Sequence, residues 1–137
     1  MSNTAFSKEE KAAIKAAAAE AKASKDLADL SAACDAAIKG MTGLDKELAT
    51  TIHELVTKNT DLSPKTYYGM PAYQNAEGKV ILFFQNASKF KVRYATLGFQ
   101  PDANLDSGNF WATGFAVTKL DADDQKKVLA MIRKAIS

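Results

Sequence analysis

The sequence predicts an α+β domain in two layers: N-terminal helices, an antiparallel sheet of about four to five strands, and a C-terminal helix. Three observations carry that expectation. Apolar residues recur at helical spacing through roughly the first 60 residues and again through roughly the last 17. Aromatic and β-branched runs fill the stretch between them. Breaker residues, notably Gly40, the Ser63-Pro64 pair and Gly78, fall where one pattern gives way to the next.

The first helix begins after Ser7, an N-cap followed by Lys8-Glu9-Glu10 with Glu at the third helical position, the capping-box arrangement. Alanine-rich sequence then continues to about Ala23, with high intrinsic propensity. Its apolar face is thin, Ile14 and alanines, so the helix is expected to pack peripherally or fray. A second helix runs from Asp26 to Lys39 on the stripe Leu27, Leu30, Cys34, Ala37/Ile38 and stops at Gly40. A third follows Thr42, with Asp45 three residues on and Leu44, Leu48, Ile52, Leu55 and Val56 as its stripe to about Asn59.

Thr66 to Tyr73 reads as one extended segment, because Met70 precedes Pro71 and is biased towards β geometry. Pro71 cannot donate to a ladder, which places this strand at an edge or on a bulge. Asn75-Ala76-Glu77-Gly78 is a turn leading into Lys79–Gln85, whose unbroken apolar run Val80–Phe84 suggests a central strand covered on both faces. Lys89–Tyr94 alternates strictly, with Lys89, Lys91 and Arg93 on one side and Phe90, Val92 and Tyr94 on the other. The parity inverts after Ala95, so a bulge or break is expected at Ala95–Thr96. Gln100–Asn109 is a loop and Phe110–Thr118 a last strand. Asp121 caps the final helix, with Asp123 and Asp124 in its first turn and Arg133 and Lys134 in its last, as the helix dipole favours. Val128, Leu129, Ile132, Ala135 and Ile136 form its core stripe.

At 137 residues the chain fits one domain, residues 1–137, with 1–24 as a peripheral alanine-rich helix. Apolar content of 47% and charged content of 25% are ordinary for a globular protein. The N-terminus interrupts its alanines with Lys and Glu and so lacks the apolar core of a signal peptide, and no run is long enough for a membrane span. A cytoplasmic protein with no membrane partner is the expectation. The net charge of +2 is unevenly spread: −2 over residues 1–62, +4 over 63–99, and zero over 100–137. A pI near 8.6 falls below the usual footprint of a nucleic-acid binder.

Enzyme signatures are sparse. His53 is the only histidine and Cys34 the only cysteine, 19 residues apart on different helices, too few for a zinc site of the usual N/S type. Cys34 reads as a small buried residue and His53 as a helix-boundary residue without catalytic duty. No glycine-rich phosphate loop is present, and Asp121, Asp123 and Asp124 are explained by their helix start rather than by a metal. The candidate site is the aromatic and basic stretch Lys65–Phe99, with eight of the eleven Tyr and Phe residues, five Lys/Arg and one acid, Glu77. Tyr67, Gly69, Pro71 and Tyr73 would share one strand face, with Gly69 leaving a gap for a ligand or a neighbouring backbone. Tyr68 adds a third phenol. Lys89, Lys91 and Arg93 would line a basic face, and Trp111 is either core or the rim of a site. If the two faces coincide, phenols and cations make a pocket for an anionic or planar ligand.

Tyr68-Gly69-Met70-Pro71, the aromatic hairpin after it, and KFKVRYATLGFQPDANLDSGNFWATGFAVTKL with the C-terminal helix resemble the YdhG-like family, a bacterial group classed as a domain of unknown function. The resemblance covers roughly residues 44–137 and implies an antiparallel sheet covered by helices. Some members are described as frataxin-like iron chaperones, which implies iron as an alternative cargo and an acidic ridge to hold it. Here the first helix mixes Lys8, Lys11, Lys15 and Lys22 with Glu9, Glu10 and Glu20, whereas a hard cation wants clustered carboxylates. The leading reading is a non-enzymatic binding domain for a small anionic or aromatic ligand or a partner's acidic segment, with no resident cofactor. The iron chaperone is the alternative, and an enzyme using Tyr68 or Tyr73 as an acid–base group is the third reading.

Overall fold

The computed structural model describes residues 6–22 and 26–137, so the expected end of the first helix at Ala23 lies outside the described residues. Helices α1 (Lys8–Lys22), α2 (Leu27–Lys39) and α3 (Gly43–Asn59) precede strands β1 (Ser63–Tyr67), β2 (Met70–Gln74), β3 (Val80–Gln85), β4 (Ala95–Phe99) and β5 (Gly114–Val117). Helix α4 (Ala122–Ala135) closes the chain. The strands form one antiparallel meander in the order β1-β2-β3-β4-β5, an α+β fold as the sequence predicts. Among the described residues no helix is long and apolar enough to cross a membrane.

Local chemistry accounts for the helix boundaries. The Ser7 hydroxyl accepts from the Glu10 N–H (3.0 Å) while Glu10 accepts from the Ser7 N–H (2.9 Å), the reciprocal cap read from the sequence. Asp26 accepts from Ala28 and Asp29 at the start of α2. Asp121 and Asp124 form the same reciprocal cap on α4. Thr42 makes no side-chain cap on α3; Asp45 is engaged elsewhere, as described below.

One sheet face builds the core. Pairing of Tyr73 with Leu82, Leu82 with Phe99, Phe84 with Leu97 and Ala95 with Val117 puts these residues on the same side. They pack with Cys34 and Ile38 of α2, Leu48, Ala49, Ile52 and Val56 of α3, and Ile132 and Ala135 of α4. Removing a large side chain here costs about 3–5 kcal/mol, because so dense a core collapses only partly around a hole. The other face carries Tyr67, Met70, Ala72, Phe83 and Gly98. Helix α1 lies over one corner of this second face, beside Met70 and Gln85, a peripheral position that agrees with its thin apolar stripe.

The structure corrects the strand assignments at three places. Thr66–Tyr73 is not one strand: Tyr68 and Gly69, with φ of +52° and +79°, fold it into the two-residue hairpin between β1 and β2. Tyr67 and Tyr73 therefore face opposite sides of the sheet. β2 is an interior strand, but pairing with β3 starts only at Ala72, so Pro71 lies beyond the ladder that would need its N–H. Next, Lys89–Tyr94 is not a strand. Ala87–Lys89 is a 3-10 turn, Lys91 has φ of +56°, and β4 begins at Ala95, where the parity inverts. The inversion marks a turn-to-strand boundary. Last, the final strand is shortened to Gly114–Val117. β3 is central, as expected, with Phe83 half-buried on the second face. Its ring lies over Gly98, where an added Cβ would come within 2.3 Å of the ring.

Candidate functional site

The β1–β2 turn, the loop after β3 and helix α1 meet at one corner. The turn costs backbone strain at Tyr68, a bulky residue in the left-handed region, on the order of 1–2 kcal/mol. In return it aims two successive N–H groups outward, a concavity that suits an anion. The Glu20 carboxylate fills it, accepting from the Tyr68 N–H (2.9 Å) and the Gly69 N–H (3.0 Å) through its two oxygens. Lys89 Nζ donates to the Tyr68 carbonyl at 2.7 Å. Burial lowers the Lys89 pKa, and the Glu20 charge opposes that shift. A Cβ at Gly69 would lie 2.9 Å from Lys89 Nζ and 3.3 Å from the Ala16 methyl. The gap expected at Gly69 is thus taken up by α1 and a lysine.

Asp45 shapes the other wall. From the first turn of α3 it accepts from the Ala87 N–H (3.1 Å) and the Ser88 N–H (3.2 Å). These bonds wind Ala87–Lys89 into its turn and so place Lys89, Phe90 and Lys91. Burial alone would raise the Asp45 carboxyl, but hydrogen bonds from the Ser88 hydroxyl, the Ser88 and Ala87 N–H groups and Asn86 overcome it and hold the pKa below the ordinary value. Lys91 Nζ reaches Glu9 of α1 at 3.2 Å. The Glu9 pKa is lowered by its backbone hydrogen bond and then by Lys91.

Beside this polar corner lies an open groove of about 430 Å³, lined by Phe6 and Ile14 on one wall and Tyr68, Met70 and Phe90 on the other. Glu10 and Gln85 are the polar groups along it. Tyr67 stacks edge-on against Tyr68, with centroids 4.7 Å apart, and leans on Phe83 at 5.6 Å, which buttresses the turn from below.

Of the residues singled out in the sequence, Tyr67, Tyr68, Gly69, Lys89 and Lys91 gather at this corner. Arg93 does not: its guanidinium lies 5.2 Å from the Tyr94 ring centre in an exposed segment. Trp111 lies at the opposite end of the sheet, in a groove beside α4. Tyr73 is fully buried on the core face. There its hydroxyl shares a 3.0 Å hydrogen bond with His53 Nδ1 and bonds Cys34, while Asp35 Oδ1 lies 3.6 Å from His53 Nε2. The structure thus joins Cys34 and His53 through a tyrosine, a link that helix spacing did not show. Burial pushes the Cys34 thiol up to about 11 and the Tyr73 hydroxyl well above its usual range. Both side chains are sealed from solvent, so the network fastens α2 and α3 to β2 rather than presenting a nucleophile.

Comparison with protein-family models, curated proteins and solved structures finds no match to this chain. Among the described residues, no group of three or more His, Cys, Asp or Glu side chains is placed to hold a metal ion.

Sequence reasoning missed the role of α1. Glu9, Ala13, Ala16 and Glu20 follow the spacing i, i+4, i+7, i+11, one stripe of small residues with an acid at each end. That stripe faces the corner. The alanines were legible as a thin apolar face, but nothing in the stripe shows the partners that Glu9 and Glu20 find far along the chain.

Proposed function

We propose that this chain is a non-enzymatic binding domain whose site is the corner between the Tyr68-Gly69 turn, the Lys89–Lys91 segment and α1, and whose ligand is a small carboxylate with an aromatic or apolar body. One observation carries this reading. The Glu20 carboxylate is held by two convergent backbone N–H groups, beside a lysine and at the mouth of an apolar groove. A ligand carboxylate would use the same donors in exchange for Glu20, with its body between Ile14, Met70 and Phe90. Glu20 is then an internal competitor, and the cost of displacing it sets a modest affinity.

A thermal-shift titration with 3-phenylpropionate tests this. The wild type should be stabilised in proportion to ligand, 3-phenylpropionamide should have no effect, and Lys89→Met should weaken the response several-fold, in keeping with the loss of about 1 kcal/mol of electrostatic support. If carboxylate and amide act alike, the proposed recognition is wrong.

A further inference from the structure

We infer that the free edge of β5 and the lysine-rimmed groove beside it form a second interaction surface, whose partner is an extended acidic segment that adds a strand to the sheet. The two edges of the sheet differ. β1 carries Pro64 and packs closely with α2, and α1 approaches it as well. β5 ends the sheet with Gly-Phe-Ala-Val, which holds neither a proline nor a charge to discourage pairing.

The ladder fixes which groups are unpaired. Phe99 N–H donates to the Thr113 carbonyl at 2.7 Å, so residues 113, 115 and 117 turn their backbone groups towards β4. Gly114 and Ala116 consequently point their N–H and C=O groups away from the sheet, and both residues are exposed. Exposed apolar surface adjoins them: Phe110 is 90% exposed and Trp111 38%.

A strand added here would put alternate side chains on the face that Phe115 occupies. There a groove of about 400 Å³ runs between Trp111, Phe115 and α4, floored by Ala130 and Met131. Its charged residues are Lys127 and Lys134, two helical turns apart on one side of α4. Beyond Phe115 the groove continues past Lys119, with Asp124 as its one acid, already engaged in capping α4. An apolar floor between two cations calls for an apolar side chain flanked by acids at alternate positions. The open edge supplies backbone pairing and the groove supplies side-chain selection.

Trp111 is the only tryptophan, so its fluorescence reports on this surface directly. The probe is the peptide Thr-Glu-Thr-Leu-Thr-Glu-Thr, blocked at both ends, titrated into the full chain. A saturable blue shift is expected, absent with the peptide that has Lys in place of Glu. Reversing both lysines, Lys127→Glu with Lys134→Glu, should weaken binding about tenfold, as expected for two rim charge pairs. Ala116→Pro removes one outward N–H and should abolish binding, while circular dichroism shows the fold retained. Binding that is indifferent to all these changes, or absent at millimolar peptide, overturns the inference. So does sedimentation showing that the chain itself dimerises through β5, with Ala116→Pro monomeric, since the occupant is then a second copy.

Discussion

Gly98 shows how one missing methyl group organises a sheet face. The Phe83 ring occupies the space above it, and a Cβ there would collide with the ring at three atoms. Gly98→Ala should therefore destabilise the protein by about 2 kcal/mol, the scale of overpacking a close contact. Phe83→Ala removes the obstacle, so most of the Gly98→Ala penalty should vanish in the double variant. Denaturant unfolding of the four proteins measures that coupling, and additive effects would show that the ring yields freely. Gly98 was not legible as a packing position and Gly69 only as a gap without its occupant, because a glycine in a sequence signals permission rather than the neighbour that requires it. Tyr68 was harder still. Nothing about a tyrosine marks a left-handed φ, and the carboxylate that rewards the turn lies 48 residues away.

At the scale of elements, the Ala87–Lys89 turn depends on Asp45 as a strand depends on its ladder. Its carboxyl pKa is depressed in the folded state, so the stabilisation is present above the unfolded pKa near 3.8 and is lost as pH falls through the folded value. Asp45→Asn should be less stable than the wild type at neutral pH, with the gap narrowing in the acid range. Thermal unfolding from pH 7 to pH 2 checks this, and parallel curves for the two proteins would contradict it. The helices, the reciprocal cap at Ser7, the N-cap at Asp121, and the Asn75–Gly78 turn were readable because each is decided by residues within a few positions. Lys89–Tyr94 was misread because alternation is a weak signal over six residues and a distant carboxylate overrode it. The basic face expected there became two lysines turned towards α1 and an arginine left in solvent.

For the whole molecule, the division of labour follows from the two sheet faces. One face, with α2, α3 and α4, holds the core and seals Cys34 and Tyr73 within it, with His53 at its margin. Cys34 should thus react with iodoacetamide only through global opening, at least a thousandfold slower than in the unfolded chain, given ordinary domain stability. Time courses in rising urea would show labelling that tracks unfolding, whereas fast native labelling would mean that the α2–β2 seam opens on its own. The other face is only partly covered, and the cover is a helix that buries a single alanine and is held largely by Glu9 and Glu20. A carboxylate from α1 in a backbone cradle is the feature on which the functional account rests. An amide-resolved NMR titration of the Glu20→Ala variant with 3-phenylpropionate tests it most directly. The account predicts saturable shifts at the Tyr68 and Gly69 amides, at lower ligand concentration than in the wild type and with the Phe115 amide unmoved. Unchanged Tyr68 and Gly69 resonances at saturating ligand would contradict it.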